Sequence, residues 1–141
     1  MATYTSALTK PPVNASMEAG LSKAVRESAM PDISIVIPYY NAIEYLVDCL
    51  DSLDSQTFAK WEAIVVEDAS PNKDETATVI SKLDDPRITL VRHAENRGAG
   101  AARNTGFKAA RSGLLLPLDS DDMLAPTFLD ETMGIISNNM A

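Results

Sequence analysis

Four short apolar runs, each followed by a segment with helical spacing, constrain this chain more than any other feature. Ile33–Ile37, Ala63–Val66, Ile88–Val91 and Leu114–Leu118 read as strands buried on both faces. Tyr45, Leu46, Cys49, Leu50 and Leu53 recur at helical spacing after the first run, and Thr76, Val79, Ile80 and Leu83 after the second. Gly98-Ala99-Gly100 opens an alanine-rich helix running to about Ala110. Pro126 suits a first helical turn, and Phe128, Leu129, Met133 and Ile136 give a last helix its apolar face. Such alternation predicts a parallel sheet between helix layers, a three-layer α/β/α architecture of Rossmann-like type. Right-handed crossovers place the carboxyl end of every strand on one edge, where such sheets bind ligands. That edge collects Pro38–Asn41, Glu67-Asp68, the Arg92–Gly100 loop and Asp119–Asp122.

The totals bound the rest. With 141 residues, the chain suffices for one domain with a real core and hardly for two. Residues 31–141 carry the pattern, whereas residues 1–30 read as a tail rich in Ser, Thr and Ala. Within the tail, Met17, Leu21 and Val25 could form one short helix, with Ser16 as its cap. A net charge of −8 argues against a nucleic-acid partner, which would need a basic face. The single cysteine, Cys49, excludes an internal disulfide or a cysteine-built zinc site and reads as packing. No stretch approaches the roughly 18 apolar residues of a membrane span. A cytoplasmic setting is therefore the default, with membrane association left open for a longer gene product.

The chemistry concentrates in Leu118-Asp119-Ser120-Asp121-Asp122. On an extended strand end, Asp119 and Asp121 share a face while Asp122 turns toward the loop. Clustered carboxylates repel, and a hard divalent cation relieves the repulsion while leaving room for phosphate. A solvated turn before a helix is the plain alternative. Other ligand classes fit less well. No Walker-type phosphate loop occurs. Gly98-x-Gly100-x-x-Arg103 misses the third glycine of a dinucleotide fingerprint and stands in the third unit of the chain. A phosphate-accepting signalling domain would need a lone acceptor aspartate and a strand-end lysine, which the spacing does not supply.

The residues at the rim also match a known pattern. Ser34-Ile-Val-Ile-Pro38-Tyr-Tyr40-Asn41, Tyr45-Leu46 to Leu53, Gln56-Thr57, Trp61-Glu62-Ala-Ile-Val-Val-Glu67-Asp68-Ala-Ser70, Glu95-Asn96-Arg97-Gly98, Ala102-Arg103-Asn104 and Leu118-Asp-Ser-Asp-Asp122 resemble family 2 glycosyltransferases of the GT-A fold, over about Asp32 to Ile136. The resemblance implies inverting transfer of a sugar from a UDP- or GDP-linked donor, with manganese or magnesium, to a glycan or lipid-linked glycan acceptor. By matched position, Pro38, Tyr40 and Asn41 belong to the base pocket, with the Tyr40 ring flanking the nucleobase. Asp68 would accept a base N–H. Asp119 and Asp121 match the Asp-x-Asp motif, with Asp122 sharing the metal. Arg97 and Arg103 border the donor.

Plainer roles stand beside these. Asp68 could cap its own turn, Tyr40 could pack in its loop, and Arg103 could serve a structural ion pair. His93, the only histidine, reads as surface, and Trp61 as core. Glu67 replaces the family's more usual Asp, and Pro71 stands where Thr is common. Family members continue into an acceptor-binding half that supplies the general base, so no catalytic residue is assigned here and the fold is expected to be truncated. The chain is expected to be a donor-binding half, either part of a longer enzyme or naturally short. The opposing reading is an inactive nucleotide-binding or assembly module. Its open sheet would be covered by a second copy, making a homo-oligomer, or by the 1–30 tail.

Overall fold

A computed structural model describes residues 3–5 and 30–140. The elements are β1 (Thr3–Thr5), β2 (Ile33–Tyr39), α1 (Ile43–Asp54), β3 (Trp61–Glu67), α2 (Lys73–Leu83), β4 (Ile88–Arg92), α3 (Ala99–Ala109), β5 (Leu115–Pro117) and α4 (Phe128–Met140). The four expected strand–helix units are present in the expected order. β1 is an addition that no apolar run announced. The short helix expected around Met17–Val25 lies outside the described residues.

All five strands are parallel, in the order β1-β4-β3-β2-β5. The chain steps outward from β2 to β3 to β4, then returns through α3 to place β5 on the other side of β2. A crevice at the carboxyl ends of β2 and β5 results from that reversal. On one face α1, α2 and α4 bury Leu46, Leu50, Leu53, Ile80 and Leu129 against Ile35, Ile37, Val65 and Leu90. On the opposite face α3 packs Ala102 and Ala109 against Ile64, Val66 and Val91. Gly106 allows α3 to lie close, because a Cβ there would come within 2.2 Å of Val36 Cγ1.

Three sequence expectations are corrected. β2 does not stop at Ile37 but runs through Pro38 to Tyr39. The reason lies in which side each residue bonds: Ser34 N–H and Val36 C=O both face β5. Pro38 is next on that side, and its missing N–H ends the pairing with β5 after Leu118 N–H meets the Val36 carbonyl, while β2 continues on its other side against β3 through Tyr39. The last apolar run is not buried on both faces: β5 is an edge among the described residues, with Leu115 38% exposed. Finally, Tyr45 does not join the core face of α1 but is 57% exposed. Trp61 and Cys49 are buried, as expected. Among the described residues, no helix is long and apolar enough to cross a membrane.

Candidate functional site

Polar groups from separate strand ends converge where the sheet reverses. Pro38, Tyr40, Asp68, Asp119 and Asp121 line one cleft of about 620 Å³, with Tyr45 and the first turn of α3 at its border. Tyr40, which lines this cleft, is 52% exposed.

The acidic segment reaches the cleft by a route other than strand alternation. β5 ends at Pro117, and Leu118 buries its side chain, anchoring the start of the acidic loop. The Asp122 N–H then donates to the Asp119 carbonyl at 3.0 Å, closing a turn. That turn brings all three carboxylates together: an oxygen from each of Asp119, Asp121 and Asp122 lies within 4.8 Å of the others. All three are exposed, so water can complete a coordination shell. An all-oxygen, anionic, solvent-open donor set fits a hard divalent cation such as manganese or magnesium. Cys49 lies just beneath, its Sγ 3.9 Å from the Asp119 carbonyl oxygen. Burial first, then the charges of Asp122 and Asp121, push its thiol up to about 12.

Asp68 is the most constrained group in the cleft. Its side chain is 6% exposed. Oδ1 accepts the Arg97 N–H at 2.8 Å and lies 2.8 Å from His93 Nδ1, while Oδ2 accepts the Gly98 N–H at 2.8 Å. The Asn96 amide donates to the Asp68 carbonyl at 3.2 Å. Burial alone would raise this carboxyl, but the Arg97, His93 and Gly98 hydrogen bonds outweigh it and hold the group below the usual carboxylate value. It is thus ionised at neutral pH and acts only as an acceptor. The bonds also fix the loop into α3, where Gly98 sits at φ +94°, a conformation that glycine tolerates best.

Glu67 points away from this cleft. It is buried and paired with Arg92, Nε to Oε1 at 2.8 Å. The Asn41 N–H donates to Ser70 Oγ at 2.7 Å, tying two strand-end loops together. Asn41 itself lines a smaller hollow beside Ala42–Tyr45 and Asn72. Arg97 contributes its backbone to Asp68 but borders a second cleft of about 680 Å³ between the end of β4 and α3. Arg103 is half-buried on α3, borders neither cleft, and forms no ion pair with a described residue.

His93 corrects the sequence reading outright. It is buried, with Nδ1 on Asp68 and Nε2 2.7 Å from Thr105 Oγ1. Spacing along the chain held no hint of this. The signal is the register: Glu67 pairs with Arg92, so the next residues, Asp68 and His93, meet at the strand ends.

An open parallel α/β sheet with an acid-lined crevice at its strand reversal defines the class of domain. The chain belongs to glycosyl transferase family 2, whose family profile matches residues 34–141. Among relatives, it is 37% identical over 97 residues to the succinoglycan biosynthesis protein ExoO of Rhizobium meliloti (strain 1021), covering 69% of this chain and 27% of that protein. The structure of S. aureus TarS 1-349 in complex with UDP superimposes with a TM-score of 0.70 at 28% identity, covering 76% of this chain and 32% of that one. The mannosyltransferase PcManGT from Pyrobaculum calidifontis, in complex with GDP-Man and Mn2+, gives a TM-score of 0.59 at 28% identity, covering 67% and 28%. The fold is therefore that of the GT-A glycosyltransferases, as the sequence resemblance implied. The chain spans roughly a third or less of the length of these proteins.

Proposed function

We propose that this chain binds the donor of an inverting glycosyltransferase, a UDP- or GDP-sugar, for transfer to a glycan or lipid-linked glycan hydroxyl. One observation carries the reading: Pro38, Tyr40, Asp68, Asp119 and Asp121, far apart in sequence, border a single cleft. The nucleotide complexes of TarS and PcManGT, each at 28% identity, support it.

Each group has a definable task. The Tyr40 ring stacks on the nucleobase, a contact worth about 1–3 kcal/mol per base. Asp68, ionised and acceptor-only, takes a ring N–H from the base. The N-terminal turn of α3 borders the cleft through Ala99, directing its positive dipole end toward the diphosphate. Three carboxylates alone would repel that diphosphate. Asp119, Asp121 and Asp122 instead hold manganese or magnesium, which when bound supplies Lewis-acid stabilisation of the departing diphosphate. Acceptor activation is not assigned to any residue of this chain.

Calorimetry with UDP and GDP tests the reading. Binding that requires manganese and is lost in Asp121→Asn is the expected result. No manganese-dependent binding of either nucleotide would refute it.

A further inference from the structure

We infer that His93 is a positioning residue that fixes which acceptor atom Asp68 offers to the nucleobase and thereby sets base selectivity. The inference rests on the donor-site reading and goes beyond it.

An ionised carboxylate offers about four acceptor positions, two per oxygen. Oδ1 takes the Arg97 N–H and faces His93 Nδ1; among the described residues, Oδ2 takes only the Gly98 N–H. One position therefore remains on Oδ2, in a residue that lines the cleft. Because Asp68 cannot donate, Nδ1 must carry a proton in this contact. On the far side of the ring, Nε2 lies 2.7 Å from Thr105 Oγ1. The resulting chain links the end of β3 (Asp68) through the end of β4 (His93) to the second turn of α3 (Thr105). Both Asp68 and His93 side chains are nearly sealed from water, at 6% and 5% exposure.

This arrangement has a chemical consequence. A single remaining acceptor position matches bases that present a ring N–H, as uracil does at N3 and guanine at N1. Cytosine presents a lone pair at N3, and two facing acceptors leave a buried group unpaired, which is how polar sites reject a near-isostere. Without the His93 N–H, Oδ1 regains a free position and the carboxylate loses one of the bonds that fix its plane. The distinction between bases should then weaken even where overall binding survives.

The test uses the whole chain with manganese, measuring UDP and CDP affinities by calorimetry and folding by circular dichroism. Wild type should prefer UDP, and His93→Phe should cut the UDP-to-CDP preference by roughly tenfold, the scale of one hydrogen bond to a charged group. His93→Asn places an amide nitrogen on Cγ, where Nδ1 stands, and should restore most of the preference. Thr105→Val should lower it less than His93→Phe. Since the chain has one histidine, a long-range proton–nitrogen NMR spectrum of wild type reads its tautomer directly, whether or not the variants fold. The Nδ1–H form is expected, and the Nε2–H form overturns the inference. So does equal affinity of wild type for UDP and CDP, or a His93→Phe protein that keeps the wild-type preference while UDP still binds. Wild type that binds no nucleotide overturns the donor-site reading itself, and this inference with it.

Discussion

The close approach of α3 to the sheet is the feature of the fold most sensitive to a single methyl group. In Gly106→Ala the new Cβ would lie 2.2 Å from Val36 Cγ1 and 3.1 Å from Cγ2. Carbon contacts are comfortable at about 3.5–4.0 Å, so more than 1 Å of separation, roughly, must be found. Val36 cannot supply it. The side chain is fully buried on a central strand, and a β-branched residue has few alternative rotamers. α3 must therefore rise from the sheet. Overpacking typically costs about 1–3 kcal/mol, and so short a contact on a rigid partner belongs at the upper end. Alanine returns about 1 kcal/mol of helix propensity, leaving a net loss of about 2 kcal/mol. Gly134→Ala in α4 is the control, because its Cβ would meet nothing within 4 Å, and it should gain up to about 1 kcal/mol. Urea unfolding followed by circular dichroism separates the two. Adding Val36→Ala removes the colliding atoms, so the double variant should lose less than the sum of the singles. Equal stabilisation by Gly106→Ala and Gly134→Ala would refute the close-approach argument.

Three further outcomes are expected of the cleft and its surroundings. Since the native Asp68 carboxyl lies below its ordinary value, its contribution is complete above the unfolded pKa of about 3.9 and is lost as pH falls through the native one. The stability gap between wild type and Asp68→Asn should accordingly narrow in acid, and parallel stability–pH curves would contradict it. Gly98→Ala forces a side chain into φ +94° and should cost about 1–3 kcal/mol in urea unfolding, an unchanged midpoint being the failing result. With its thiol pushed up to about 12, Cys49 should react with a disulfide reagent at pH 8 roughly a thousandfold more slowly in the native chain than in urea. Comparable rates would show that the thiol is neither buried nor beside the aspartates.

Strand–helix alternation, the parallel sheet and the gathering of four polar segments at one edge were legible in the sequence because periodicity reports burial, and crossover handedness then fixes direction. Pro38, Tyr40, Asp68, Asp119 and Asp121 meet at that edge, as the pattern implied. Periodicity cannot report which side of a backbone its bonds face, how a turn closes, or which strand ends lie side by side. The run through Pro38 is tolerated because β2 still pairs with β3 on its other side, a fact of strand placement in space. The aspartates converge through a turn from Asp119 to Asp122, with Asp122 included, where alternation had set it apart. His93 looked like a surface residue until register placed it against Asp68. Local sequence thus determined the elements, their order and the edge where chemistry gathers, since each depends on near neighbours and overall burial. Tertiary structure alone decided the partners of the polar atoms, because hydrogen-bond geometry depends on ångström-scale register between segments that the chain keeps dozens of residues apart.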